Sequence, residues 1–191
     1  AYEIVFGDWS SDGGSSDLLR LAKETMGDHG LIGVSVASSL ALKNEQEIYE
    51  YYDHPELHEQ WAAERIEAVD RRFDALMRWE TKPDFICVGA SGTLVFQTMR
   101  IFKQLAFPAV RHAIERASLA GLPTHIHSCG PEANLVRYMA DNTALSVIDP
   151  LEIPPMGDCD LKQLKKDVGS RITLKGNLHT TEVMLRGSPD D

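Results

Sequence analysis

Cysteine is scarce in this chain, and the three present, Cys87, Cys129 and Cys159, are too widely spaced to read as a disulfide framework. A reducing compartment fits that pattern, and a cytoplasmic location is expected. Positive charge is short as well: 19 Lys and Arg stand against 29 Asp and Glu, a net charge of −10 that argues against a nucleic-acid surface. The nearest approach to a basic cluster, Lys162, Lys165 and Lys166, is interleaved with Asp160 and Asp167 and reads as a solvated helix face. No apolar run approaches the ~20 residues that cross a bilayer, so no membrane partner is expected. No basic start leads through an apolar stretch to a small-residue cleavage site. Internal repeats and low-complexity tracts are missing, and so is the G-x-G-x-x-G phosphate turn, to which Gly89-Ala90-Ser91-Gly92 is the closest approach.

What remains is the composition of an ordinary globular domain, 191 residues of which 43% are hydrophobic and 25% charged. One flexible-looking Ser/Gly patch, residues 10–16, leads into an amphipathic helix through Asp17, Leu18, Leu21 and Ala22. Short apolar runs at 2–6, 31–37, 84–89, 123–128, 144–148 and 171–175 are bounded by Gly, Pro or Asp and predict strands. Between them lie helices. Asp53-His54-Pro55-Glu56 has the chemistry of a helix start and precedes an apolar face of Ile66, Val69, Phe73, Leu76 and Met77. Phe107, Val110, Ile114 and Ala117 repeat that spacing before Gly121. A third helix is expected from Gly130-Pro131 through Leu135, Tyr138 and Met139, and a fourth from Asp160 through Leu161, Leu164 and Val168 to Gly169.

Strands alternating with helices of this length imply βαβ units and a parallel sheet. Doubly wound sheets and (β/α)₈ barrels both satisfy that, and the missing phosphate turn disfavours the first. Six strands in 191 residues is short of the ~250 residues of a typical barrel. The chain opens at Ala1 without methionine, and Ser188-Pro189 resembles a helix start at its other end. The expectation is an α/β chain of one domain, residues 1–191, forming an incomplete (β/α)₈ TIM barrel with both flanks missing.

The most informative segment is Pro123-Thr124-His125-Ile126-His127-Ser128-Cys129-Gly130. Side chains alternate along a strand, so His125, His127 and Cys129 share a face. Imidazole and thiolate are the ligand types that Zn²⁺ prefers, and two of them at a strand end make half a metal site. In a barrel, chemistry gathers at the C-terminal strand ends. The exits here carry Ser38 and Ser39, then Ser91, then His127 and Cys129, then Asp149 and Glu152, then Asn177 and His179. A buried histidine beside a free cysteine is the plain alternative for His127 and Cys129. Glu152 or Asp149 fits a metal ligand or a partner that orients His127, and the alternative for both is a loop carboxylate capping a backbone amide, favoured for Asp149; for His125 the favoured reading is a satisfied core histidine.

From about residue 51 to residue 191 the chain resembles the C-terminal part of the uroporphyrinogen decarboxylase superfamily, which includes cobalamin-dependent methyltransferases acting on methylated corrinoid proteins. The resemblance is carried by Asp53-His54-Pro55-Glu56-Leu57, Pro83-Asp84-Phe85-Ile86, Ser91-Gly92, Phe107-Pro108, His127-Ser128-Cys129-Gly130, Asp160-Leu161-Lys162 and the run from Gly169 to Leu178 with its Gly176-Asn177. It implies the methyltransferase branch, whose His-x-Cys pair and a later cysteine bind Zn²⁺ to activate a thiol acceptor. His127 and Cys129 match the pair, the later cysteine would fall beyond Asp191, and Cys159 does not match its position. The decarboxylase branch carries Phe-Asp-Ser where this chain reads Gly89-Ala90-Ser91 and is the runner-up.

The resemblance thus implies a zinc-dependent transfer of methyl from a corrinoid protein or free methylcobalamin to a small thiol, with a homodimer compatible. Glu152 and Asn177 are the candidate catalytic residues, Ser91 and His179 the candidate cofactor contacts, His127 and Cys129 the metal ligands. Asn177 also fits a role in backbone geometry after its strand, and His179 a surface loop. A metal-dependent amidohydrolase using His125-x-His127 ranks lower, because its pair belongs on the first strand. A non-catalytic corrinoid-binding relative is the remaining alternative.

Overall fold

The computed structural model describes residues 2–6 and 14–188. Most of the Ser/Gly patch over residues 10–16, and Pro189 of the expected helix start, lie outside the described residues. Six strands form one sheet: β1 (Tyr2–Phe6), β2 (Gly30–Ser35), β3 (Phe85–Cys87), β4 (Thr124–Ser128), β5 (Val147–Pro150) and β6 (Thr173–Leu174). Their order in the sheet is their order in the chain, and every neighbouring pair is parallel. A doubly wound sheet reverses direction at a switch point. No reversal occurs among the described strands, so that alternative is set aside.

The strands are mostly shorter than their apolar runs. Asp84 is left out of β3 because its carboxylate is used locally, accepting from the Ile32 N–H at 2.8 Å and from Lys23 at 2.8 Å. At β6 the ladder stops after two residues, just before Lys175 and Gly176, the latter at φ +134° in a region that disfavours side chains.

The helices are α1 (Gly14–Met26), α2 (Glu45–Asp53), α3 (His58–Arg78), α4 (Thr93–Phe96), α5 (Met99–Ile101), α6 (Phe107–Leu119), α7 (Ala133–Asn142) and α8 (Leu161–Val168). A π-helical stretch, Phe102–Ala106, joins α5 to α6. Three expected faces are present. Val69, Phe73 and Leu76 of α3, Val110, Ile114 and Ala117 of α6, and Leu164 and Val168 of α8 are all buried, each large one contributing about 1.5–3 kcal/mol. Asp160 caps α8 by accepting from the Gln163 N–H, as its position suggested.

Other expectations need correction. The Asp53–Glu56 signal opens only a 3₁₀ turn, Pro55–Leu57, and α3 begins after it at His58. The third expected helix starts later, at Ala133. In α1 the buried stripe is Leu19 with Ala22 and Met26, while Leu18 and Leu21 are exposed. Helix α2 was not foreseen, because Tyr51 is the one residue it buries.

The sheet has two unlike faces. Ile32, Val34, Ile86, Val88, Ile126 and Ile148 join the helices in one apolar core. The opposite face carries Gly33, Phe85, Cys87, His125, His127, Asp149 and Lys175, and none of these belongs to that core. The Phe85 ring occupies the space a side chain at residue 33 would need, which is why glycine stands there. It also meets His125 edge to face at 5.7 Å.

Candidate functional site

The parallel register of β4 and β5 sets His127 opposite Asp149 and His125 opposite Val147. With period two, His125, His127 and Asp149 fall on the second face, and Cys129 follows directly after β4. The His127 Nδ1–H donates to Asp149 Oδ1 at 2.7 Å. That bond fixes the tautomer and leaves Nε2 as the lone-pair nitrogen. Nε2 lies 3.2 Å from Cys129 Sγ. In a tetrahedral zinc site, nitrogen and sulfur ligands stand about 3.5 Å apart. The two donors are therefore within a few tenths of an ångström of metal-ligand spacing, and the carboxylate behind the imidazole is the usual partner of a metal-bound histidine. Among the described residues, no group of three His, Cys, Asp or Glu side chains is arranged to hold a metal ion. The residues present fit half of such a site.

Asp149 is the hub. Its side chain is 9% exposed and its Oδ2 meets His125 Nε2 at 3.2 Å and Lys175 Nζ at 2.7 Å. Burial alone pushes this carboxyl up, but the hydrogen bonds from His125, His127 and Lys175 outweigh it and hold the group well below the usual carboxylate range. This corrects the expectation that Asp149 caps a loop amide. Glu152 does that instead, its Oε2 accepting from the Gly130 N–H at 2.7 Å and so fixing the turn after Cys129. His125 is buried and lies within ion-pair distance of Asp149, but its Nε2 lacks the alignment of a full hydrogen bond, so it meets the expectation of a satisfied core histidine only in part. Its other nitrogen, Nδ1, lies 4.0 Å from Cys87 Sγ. Asp149 thus stands between two Cys–His pairs, one at the rim and one in the interior.

Ser91 comes to the same place, donating to Cys129 Sγ at 3.4 Å. Among the described residues, no hydrogen bond joins Asn177 or His179 to His127 or Cys129. Asn177 and His179 line, with Glu152 and Met156, a cavity of ≈ 10 Å³, room for about one water. His179 Nδ1 accepts from the Glu182 N–H and so starts the π-helical turn Thr180–Leu185. Cys159 is a free, buried thiol that burial pushes up to about 11. A larger cavity, ≈ 290 Å³ between α2 and α3, shares no residue with this site.

Lys175, Glu132, Ser128 and Thr93 were not foreseen. For Lys175 the signal was available, since it follows a strand on the face that carries the histidines. The other three are buried polar residues with no pattern of their own. No protein-family model, no curated protein and no solved structure matches the chain.

Proposed function

We propose that the chain is part of a (β/α)₈ barrel of the uroporphyrinogen decarboxylase type, acting as a zinc-dependent methyltransferase from a methylated corrinoid to a small thiol. The observation that carries this reading is the Cys129 Sγ–His127 Nε2 approach of 3.2 Å, backed by the Asp149 carboxylate on Nδ1. A singly wound parallel sheet whose polar exits share one rim supports the barrel. His127 and Cys129 would hold Zn²⁺, with the later cysteine that the resemblance implies. The metal would supply a thiol acceptor already deprotonated at neutral pH, where a free thiol with a pKa near ~8.5 is mostly protonated.

The chain's own residues do the positioning. Asp149 keeps the proton on His127 Nδ1, so that Nε2 faces the sulfur. Lys175 and His125 keep Asp149 charged. Glu152 pins the Gly130 amide, which holds the turn that presents Cys129. Ser91 offers its hydroxyl to the sulfur, and Asn177 and His179 sit on the adjoining exit. A corrinoid at this rim would supply the methyl group, and a zinc held by His127 and Cys129 would supply the acceptor as a thiolate.

The test is metal content and demethylation of methylcobalamin by a thiol, measured on the full-length protein. About one zinc per chain is expected, with His127→Ala and Cys129→Ser each losing most of it and the activity together. Full activity in metal-free protein would overturn the reading, and a metal-free decarboxylase would move ahead.

A further inference from the structure

Beneath the rim runs a chain of buried hydrogen bonds that the proposed chemistry does not use. The Ala90 N–H donates to Ser39 Oγ at 2.8 Å. Ser39 Oγ and Thr93 Oγ1 are 2.5 Å apart, and the Thr93 hydroxyl donates to the Ala90 carbonyl at 3.0 Å. The Thr93 N–H then donates to Ser128 Oγ at 3.1 Å, and the Ser128 hydroxyl donates to Glu132 Oε1 at 2.8 Å. The Leu94 N–H reaches the same oxygen at 3.3 Å. Ser39, Thr93, Ser128 and Glu132 are each no more than 1% exposed. The chain joins the exits of β2, β3 and β4.

We propose that Glu132 is a positioning residue for the Cys129 thiol, acting through this strut. Its Oε1 bonds both arms that meet at the sulfur. One arm is the Ala90–Leu94 segment, which carries Ser91; the other is Ser128, which precedes Cys129. A helix-capping role does not account for it. The Glu132 side chain makes no capping bond to α7, and Asp158 caps that helix by accepting from the Ala133 N–H at 2.9 Å. Glu132 Oε2 has no hydrogen-bond partner among the described residues, and burial, with Asp158 and Glu152 adding repulsion, pushes the carboxyl up to about 7. The strut therefore uses only Oε1, which accepts both hydrogen bonds, and the amide oxygen of glutamine reproduces that acceptor.

The metal arm of the test rests on reading Cys129 and His127 as ligands; the thiol arm does not. Co²⁺ is titrated into metal-free protein and followed by thiolate-to-cobalt charge-transfer absorption. Glu132→Leu is expected to weaken Co²⁺ by roughly tenfold or more, with Glu132→Gln close to the unmodified protein. Thr93→Val breaks the strut at another joint and is expected to reproduce the loss if Glu132→Leu folds poorly. A purely structural role would lower the melting temperature of the variants and leave the Gln-versus-Leu contrast in affinity flat, which overturns the inference. In the thiol arm, alkylation of Cys129 is timed by mass spectrometry without metal; Cys87 and Cys159 are buried and Cys129 is not. A rate changed several-fold in Glu132→Leu and restored in Glu132→Gln supports the strut even if the unmodified protein takes up no cobalt, a result that would sink only the metal reading. Equal rates in all variants overturn the strut whatever the cobalt shows.

Discussion

Replacing Asp149 by asparagine tests the hub directly. The side chain keeps its shape, but one acceptor becomes an NH₂ donor that faces groups already donating. Its partners differ in what they can do next. The side chains of His127 and Lys175 are 49% and 48% exposed, so both can turn to water and lose little. That of His125 is 5% exposed and cannot. Losing one partner of a buried ion pair costs about 3–5 kcal/mol, and leaving one buried donor unsatisfied about 1–3 kcal/mol. With two of three partners solvated, the loss should be about 2–3 kcal/mol, or about 4–12 °C in melting temperature for a domain of this size. Thermal melts followed by circular dichroism at pH 7 measure it. The double variant Asp149→Leu/His125→Phe removes the buried donor along with its acceptor, and should recover a good part of the loss. Zinc affinity of Asp149→Asn should also fall by about 10–100-fold, since the imidazole loses the group that orients it. A melt within about 1 °C of the unmodified protein would refute the assignment of Asp149 as the acceptor that His125 needs.

The two perturbed acids give opposite pH dependences. Asp149, held low, stabilises the fold above the ordinary carboxylate range, and that contribution should drain away as pH falls below about 4. Glu132, raised to about 7, favours the fold while protonated, so its contribution is full below about pH 4 and is lost as pH rises through 7, by about 3 kcal/mol in all. Urea melts between pH 5 and 8 should show that decline in the unmodified protein relative to Glu132→Gln; parallel curves would exclude it. Gly89→Ala should destabilise the site, because a methyl there would meet the His127 backbone N at 2.6 Å and O at 2.8 Å. Forcing β3 and β4 apart should cost about 1–3 kcal/mol and weaken the metal, read by the same melts and cobalt titration; an unchanged protein would mean the two exits do not touch.

Periodicity made the long helices legible, since Val69, Phe73 and Leu76 have one face that a core can accept. It failed at α1, where Leu18, Leu19, Leu21 and Ala22 offer two overlapping stripes and only packing against β2 decides between them. Alternation along β4 was enough to put His127 beside Cys129. The roles of Asp149 and Glu152 were exchanged for a different reason. Asp149 lies at the end of β5 and Glu152 just after it, and which one meets His127 depends on the register between β4 and β5, a property of the pair of strands. The strut of Ser39, Thr93, Ser128 and Glu132 was invisible for the same cause, because its members come from three exits and meet only in space.

The polar face of the sheet carries the last step. Parallel sheets are ordinarily buried on both sides and read as apolar runs. Here one face obeys, with Ile32, Val34, Ile86, Ile126 and Ile148 in the core. The other places Cys87, His125, His127, Asp149 and Lys175 together, and it leaves an acid and a lysine at a position where valine and leucine would satisfy the fold. Burying Asp149 is unfavourable by itself and is offset only by contacts from His125 and His127 on β4 and from Lys175 just after β6. A local conflict that needs three partners to resolve is unnecessary for folding, and such conflicts concentrate at functional sites. That supports the proposal of a site on this face and at this rim, where His127 and Cys129 stand. It also gives the fold reading and the functional reading one shared point of failure: a substitution set that makes the face wholly apolar should fold at least as well and should abolish metal binding and activity together.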